Sequence, residues 1–301
     1  MSAQMPAEYP IIDIPQDARE DVEQLGSKPK FWVTREDGRW LFKEARPNTG
    51  EDWAEKVSAE FAQRLGINAA QVELASYVGK RGCISKNFIR TTVGEALIHG
   101  NEILATHVQD YDKAKVLKQS DHTVHNIVAA VVRLFPNGLG EPILMTLAEY
   151  MVFDALIGNT DRHHENWGFQ VRAGADPRTF VWSAAPSYDH ASSLGRECLD
   201  ERCEQILREK RVPAYVRAGR GGVYWQQSDA KGANPLELVK LAAAKYPKYF
   251  APALAKIFRL SEDEAWQAIN RVPANRASDA AKRLAHAMVC YSLTELKQLQ
   301  S

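Results

Sequence analysis

The chain has 301 residues, which is enough for one large domain or two modest ones with an extensive core. Hydrophobic residues make up 45% of it and charged residues 25%, the ordinary balance of a soluble globular protein. Basic and acidic residues both number 38, so the formal net charge of zero excludes a protein-wide field that would attract nucleic acid or a membrane.

Export and membrane insertion are not indicated. Residues 1–14 lack the basic start and the apolar core of a signal peptide. The most apolar segment, residues 143–158, is interrupted by Glu149 and Asp154 and is too short to span a bilayer, so no membrane partner is expected. The cysteines lack the spacing of a zinc site, and we therefore expect reduced thiols in a cytoplasmic protein.

A small strand-rich lobe is predicted over residues 25–90, after an N-terminal extension over residues 1–24. Two short apolar runs in this lobe flank Asp37 and Gly38, a pair that is typical of a hairpin turn. The two runs are therefore expected to form antiparallel strands.

A helix and two further strands should complete the strand-rich lobe. The helix is expected to begin with Asn48 or Thr49 as its N-cap and to end at Gly66 in the left-handed conformation. The strands are predicted over residues 72–78 and 83–88, with a turn formed by the residues between them.

Helical periodicity dominates residues 91–301 and predicts a larger helical lobe. Helices are expected over residues 124–132 and 143–157, and Ser261 and Ser278 are the expected N-caps of two more. A strand-rich lobe followed by a helical one predicts an α+β, bilobal, protein-kinase-like fold whose cleft would hold a nucleotide.

The most informative pattern is an Asp followed five positions later by an Asn, directly after an apolar helix. In a phosphotransfer loop with this spacing, the Asp orients an attacking hydroxyl and accepts its proton, and the Asn binds Mg²⁺. Asp161 and Asn166 have these positions, and Asp189 would be a second Mg²⁺ ligand through a hard oxygen donor. Asp161 and Asp189 could instead be ordinary turn residues.

Three histidines lie near these residues. His163 is expected to donate an orienting hydrogen bond within the loop. A transition-metal site formed by His163, His164 and His190 is an open alternative, although their spacing matches no recognised ligand pattern.

The nucleotide phosphates need a cation that is held in place. Lys43, at the end of an apolar strand, is the candidate, and Glu55 on the next helix would pair with it. Glu51 and Glu60 compete with Glu55 for this role. Taken alone, Lys43 would be read as a solvated lysine at the end of a strand.

The phosphate loop is predicted just before the first strand of the hairpin, where Gly26, Ser27, Lys28 and Lys30 could offer backbone N–H groups and positive charge. The sequence there is neither a Walker A motif nor a G-x-G-x-x-G motif. An ordinary basic turn is the alternative.

These residues resemble the HipA-like kinases, the toxin components of bacterial toxin–antitoxin modules of the HipBA and HipBST types. Residues 158–163 followed by Asn166 resemble the family's catalytic loop, and Tyr188 and Asp189 resemble its metal-binding segment. The strand that ends at Lys43 is similar to the family's nucleotide-lysine strand.

The resemblance extends over roughly residues 25–295. It implies that main-chain groups of Lys86, Asn87 and Phe88 meet adenine at a hinge. Family members often autophosphorylate a serine in or near the phosphate loop, and Ser27 is the serine available here.

The resemblance implies a serine/threonine protein kinase that uses ATP and Mg²⁺. The family's best-known acceptors are aminoacyl-tRNA synthetases, whose phosphorylation arrests translation and growth, and its usual partner is a small DNA-binding antitoxin. Because the chain starts almost at the kinase core, we expect a compact member whose N-terminal subdomain is a separate partner protein. No direct contact with nucleic acid is expected.

Two other functions stay open. One is a small-molecule or lipid phosphotransferase, because a fold does not fix the acceptor. The other is a nucleotide-binding scaffold that regulates a partner, although intact Lys43, Asp161, Asn166 and Asp189 favour an enzyme.

Overall fold

The computed structural model describes residues 7–20, 30–176 and 178–300. The described chain mixes helices and strands. The strands are β1 (Ile11–Ile14), β2 (Lys30–Arg35), β3 (Gly38–Glu44), β4 (Val72–Tyr77), β5 (Lys80–Lys86), β6 (Ala96–His99), β7 (Gly168–Ala173) and β8 (Phe180–Ala184). The helices are α1 (Glu51–Leu65), α2 (Gly100–Ala105), α3 (Val124–Leu134), α4 (Glu141–Ile157), α5 (Asp200–Arg208), α6 (Val212–Ala218), α7 (Pro235–Lys245), α8 (Pro247–Ile257), α9 (Glu262–Asn270) and α10 (Asp279–Lys297).

The chain packs into two compact units, each assembled from separate stretches of sequence. Unit 1 comprises residues 1–88, 189–213 and 260–291, and unit 2 comprises the remainder. The predicted lobes, with boundaries at residues 24 and 90, stay a prediction.

Unit 1 contains a five-stranded sheet in the order β1-β4-β5-β3-β2. Strands β2 and β3 form the predicted antiparallel hairpin, with its turn before Gly38. Alternate side chains of a strand face opposite sides of a sheet. Trp40 and Phe42 of β3 therefore lie together in a hydrophobic core cluster, which also contains Phe31 and Ile84.

Helix α1 begins later than the sequence suggests, because Gly50 is its N-cap. The predicted caps are wrong for local reasons. Asn48 has a φ of 58°, and the Thr49 hydroxyl donates to the carbonyl of Arg46, so both residues belong to the preceding turn. The predicted C-terminus is confirmed, since Gly66 has a φ of 66°.

The turn between β4 and β5 also differs from the prediction. It consists of Val78 and Gly79, with φ values of 51° and 73°, and this pair of positive angles matches the twist of the flanking strands. Gly82, expected in the turn, lies within β5, where a Cβ atom would approach the Lys43 carbonyl oxygen to 2.4 Å. The close approach of the neighbouring strand β3, rather than a turn, requires this glycine.

Unit 2 contains a three-stranded sheet in the order β6-β7-β8 and several of the helices. Helix α4 is buried along most of its length and ends at Gly158, which has a φ of 66°. Both predicted helices of this region, α3 and α4, are confirmed. Among the residues described, none of the helices has the length and hydropathy that crossing a membrane requires.

The two predicted serine caps are also confirmed. Ser261 accepts a hydrogen bond from the Glu264 backbone at the start of α9, and the Glu264 side chain closes the capping box. Ser278 accepts one from the Ala281 backbone at the start of α10.

Candidate active site

Lys43 of unit 1 lies between two carboxylates. Its Nζ atom is 2.8 Å from Oε1 of Glu55 and 3.1 Å from Oδ1 of Asp189. The competing carboxylates, Glu51 and Glu60, pair with other cations of unit 1. The structure thus brings Asp189 to Lys43, which is 146 positions away in the sequence, and it selects Glu55 as the glutamate that pairs with Lys43.

Strand alternation explains how Lys43 reaches helix α1. Phe42 faces the core cluster, so Lys43 faces the other side of the sheet, where α1 carries Glu55. Cys83 of β5 lies directly opposite Lys43 in the sheet, and its Sγ atom is 3.8 Å from Oε2 of Glu55. Burial raises the pKa of the Cys83 thiol well above its ordinary value, so the thiol stays neutral beside these charges.

The charge of Lys43 is stabilised in this setting. Burial opposes the ammonium ion, but the carboxylates of Asp189 and Glu55 outweigh that effect and raise the pKa of Lys43. The side chain of Glu55 is 1% exposed, whereas those of Lys43 and Asp189 are 11% and 26% exposed. Glu55 is therefore the inner support, and a ligand can reach the other two.

Asp189 has an unusual backbone conformation. Its φ of 60° lies in the left-handed region, which few residues other than glycine occupy. Such outliers persist where surrounding contacts hold them, and they cluster at ligand-binding and active sites. The ion pair with Lys43 is one of these contacts.

The predicted phosphate loop can be assessed only in part. Gly26, Ser27 and Lys28 lie outside the described residues. Lys30 is the first residue of β2 and is paired in register with Lys43 of the neighbouring strand. Its role toward phosphate stays a prediction.

The predicted hinge residues lie at and just after the end of β5. The Lys86 backbone donates to the carbonyl of Gln71, and the Asn87 backbone donates to that of Arg39. The Lys86 side chain turns to Asp37 of the hairpin, at 3.0 Å. Phe88 is half-buried at the end of this stretch, and the adenine contact stays a prediction.

The predicted catalytic loop of unit 2 closes on itself through hydrogen bonds. The Asn166 side-chain amide donates to the backbone carbonyl of Asp161 at 2.7 Å. The Asp161 backbone N–H donates to the Asn159 side chain at 3.1 Å. His163 accepts a bond from the Glu165 backbone through Nδ1 at 3.2 Å, which leaves Nε2 as the nitrogen that can donate. The spacing of Asp161 and Asn166 therefore corresponds to one compact loop.

The sequence did not predict the buried ion pair that holds this loop in place. Arg162 is buried, and its guanidinium binds the Asp154 carboxylate of α4 at 2.7 and 2.8 Å. The same group donates to the Asn166 carbonyl at 2.6 Å and to the Ser187 hydroxyl at 2.9 Å. A carboxylate near the end of a mostly apolar helix was the available signal, because buried charges are almost always paired.

His164 of the loop and His122 beside it are both buried and in contact with neighbouring polar groups. Nδ1 of His122 contacts the Gly222 carbonyl at 2.8 Å, and the Trp167 indole donates to its Nε2 at 3.0 Å. These two bonds require the neutral ring, and burial lowers the pKa of His122 to about 3. Desolvation likewise lowers the pKa of His164 to about 4, and the Tyr111 hydroxyl lies 2.7 Å from its Nδ1.

The alternative of a transition-metal site is wrong. Within residues 7–20, 30–176 and 178–300, no group of three or more His, Cys, Asp or Glu residues could hold a metal ion. His163, His164 and His190 therefore do not converge on one.

Comparison with known proteins shows the family of the chain. The sequence profile of the HipA-like C-terminal domain matches residues 24–234. The chain belongs to the HipA-like C-terminal domain family. None of the curated protein sequences matches it.

Two solved structures are similar to this member of the HipA-like family. The proinflammatory kinase CtkA of Helicobacter pylori superposes with a TM-score of 0.78 at 19% identity, over 96% of each chain. HipA of Shewanella oneidensis MR-1, solved with HipB and operator DNA, superposes with a TM-score of 0.51 at 12% identity, over 97% of this chain and 68% of its own. At these identities the likeness shows the fold, and the predicted α+β, protein-kinase-like fold is confirmed.

Proposed function

We propose that this HipA-like protein is a phosphotransferase, and more narrowly an ATP- and Mg²⁺-dependent kinase that phosphorylates serine or threonine in proteins. The observation that carries the proposal is the ion cluster of Lys43 with Glu55 and Asp189. A lysine held by a helix glutamate, with a second carboxylate beside it, is the arrangement that phosphoryl transfer by a kinase requires.

The donors in the described residues fit ATP and Mg²⁺. Lys43 would bind the phosphates, and Glu55 would hold it in place. Asp189 and the side-chain oxygen of Asn166 are the hard donors that Mg²⁺ requires. Bound Mg²⁺ would neutralise the charge of the phosphates. Lys30 and the loop containing Gly26, Ser27 and Lys28 would add positive charge, with Ser27 as a site of autophosphorylation.

On the acceptor side, Asp161 would orient the substrate hydroxyl and accept its proton, as a general base within hydrogen-bond reach does. His163 would orient the loop through its remaining ring nitrogen. Family membership further supports a protein acceptor in translation, such as an aminoacyl-tRNA synthetase. An antitoxin, or a separate protein that resembles an N-terminal subdomain, is the proposed regulatory partner.

The test is transfer of label from γ-labelled ATP in the presence of Mg²⁺ to proteins of a cell lysate or to the enzyme itself. Asp161→Asn and Lys43→Met should each reduce labelling at least about a hundredfold, because each removes a group that acts on the developing charge. Lys80→Met is a matched control, since Lys80 is an exposed lysine paired with Glu44 on the same sheet.

Three outcomes distinguish the candidate functions. Label confined to a small-molecule or lipid fraction would replace the protein acceptor with a metabolite. Binding of ATP without transfer to any fraction would indicate a regulatory scaffold. Equal labelling by wild type and Asp161→Asn would refute the role of Asp161.

A further inference from the structure

Helix α1 carries a buried polar stripe. Glu51, Glu55 and Ser58 are spaced four and three residues apart, so they lie on one face of the helix. They are 3%, 1% and 0% exposed. A face buried this deeply normally carries apolar side chains, because a buried polar group is costly unless it is paired.

The stripe is connected to one short segment, residues 189–196 of unit 1, partly by direct contacts and partly through Lys43. Glu51 forms an ion pair with Arg196, and Glu55 binds Lys43, which binds Asp189. Glu51 therefore contacts the end of the segment directly, whereas Glu55 is connected to its first residue only through Lys43.

The third contact is a relay of hydroxyl groups. The Oγ atoms of Ser58 and Ser193 are 3.1 Å apart, and the Ser193 hydroxyl also donates to the His190 carbonyl at 2.7 Å. A hydroxyl has a single hydrogen to donate, so Ser58 is the donor to Ser193. The relay thus connects helix α1 to the residue next to Asp189.

The segment needs such support. Asp189 and Leu194 both have left-handed backbones, with φ values of 60° and 54°. Conformations of this kind persist only where the surrounding contacts fix them. The helix end adds a further bond, since the Gly50 N–H donates to the Arg196 carbonyl at 2.7 Å.

We propose that Ser58, Ser193 and Arg196 are positioning residues for the Asp189 carboxylate. They hold the left-handed turn at Asp189 so that its carboxylate can bind Mg²⁺ next to the Lys43–Glu55 ion pair. This inference rests on the proposed role of Asp189 as a metal ligand. The same residues fix the position of Glu55 relative to Asp189, because helix α1 carries Glu55 and the segment carries Asp189.

The variants that test the proposal are Ser193→Ala, Arg196→Ala and, from the helix side, Ser58→Ala. Two matched controls are available. Arg46→Ala removes the other arginine whose side chain binds Glu51, at 3.3 Å, and it lies outside residues 189–196. Ser76→Ala removes a serine hydroxyl that lies 3.4 Å from Asp13 in the same unit.

The first measurement is hydrogen–deuterium exchange of the intact chain without ligand, which does not depend on any activity. Amides of residues 189–196 should exchange about threefold to tenfold faster in the three variants, the change expected from losing one net hydrogen bond. The two controls should match wild type. Unchanged exchange in Ser58→Ala and Ser193→Ala would overturn the proposal, because the stripe would then not hold the segment.

The second measurement is equilibrium binding of labelled ATP as Mg²⁺ is titrated. The variants should need about threefold to tenfold more Mg²⁺ for half-maximal binding, with ATP binding in the absence of Mg²⁺ unchanged. Faster exchange with an unchanged Mg²⁺ requirement would make the contacts merely structural and would also overturn the proposal. If Mg²⁺ did not increase the affinity of the wild type for ATP, the metal role of Asp189 itself would be refuted. The exchange data would still show independently whether the stripe holds residues 189–196.

Discussion

The two units each hold a charged cluster, and the clusters differ in exposure and in balance. In unit 1, one ammonium group, Lys43, is shared by two carboxylates, and its side chain and that of Asp189 are 11% and 26% exposed. In unit 2, Arg162 faces the carboxylate of Asp154, with 6% and 5% exposed. The cluster of Lys43 has one more negative than positive charge, and a cationic ligand can reach it. The pair of Arg162 and Asp154 is neutral, and it holds the loop that carries Asp161 and Asn166 through the bond from Arg162 to the Asn166 carbonyl.

The largest change in stability should come from removing one partner of the buried Arg162–Asp154 ion pair. Asp154→Ala leaves the Arg162 guanidinium buried without its carboxylate, and this should lower the free energy of unfolding by about 3 to 5 kcal/mol. Asp189→Ala should cost less than about 1 kcal/mol, because Lys43 keeps Glu55 and the site is partly open to water. Urea unfolding of both variants measures the difference, and similar losses would refute the contrast between the clusters.

An intermediate effect concerns pH. His122 has a folded pKa of about 3 and an ordinary pKa of 6.5, so the unfolded chain binds one more proton between these values. Stability should therefore fall on acidification below pH 6.5, by about 1.4 kcal/mol per pH unit from this residue. Urea unfolding at several pH values should show a shallower slope for His122→Gln. Parallel slopes for variant and wild type would show that His122 already carries a proton in the folded protein.

The smallest effect compares the two glycines that end the long helices. Gly66 ends α1 in unit 1 and Gly158 ends α4 in unit 2, and both have a φ of 66°. Alanine at either position should cost about 1 to 2 kcal/mol of backbone strain. At Gly66 a Cβ would meet nothing within 4 Å, so activity should be unchanged.

Gly158 should behave differently in an activity assay, because it leads directly into the loop that holds Asp161. We expect Gly158→Ala to lower phosphotransfer as well as stability, measured by labelling from γ-labelled ATP and by urea unfolding. Equal activity of the two variants would show that the loop does not depend on the end of α4.

Features set by a few neighbouring residues were predictable. The Asp37-Gly38 hairpin, the left-handed Gly66 and the cap at Ser261 each depend on local backbone preferences, and all three are confirmed. The predicted cap of α1 was wrong because a threonine hydroxyl can either accept from a following backbone N–H or donate to a preceding carbonyl, and only the observed turn shows that Thr49 donates to Arg46. Within the candidate site, the sequence favoured Glu55 over Glu51 and Glu60 as the partner of Lys43, and the observed ion pair confirms that choice.

The sequence by itself determined the family through its motifs. It also determined the compact loop that carries Asp161 and Asn166 and the strand that carries Lys43, because each is encoded within a short stretch of chain. Only the tertiary structure decided that Asp189 joins Glu55 beside Lys43, that Arg162 pairs with the buried Asp154, and which partners the polar face of α1 has. Those decisions depend on pairing across large separations in sequence, and the energy of a buried charge is set by the partner that the fold brings to it.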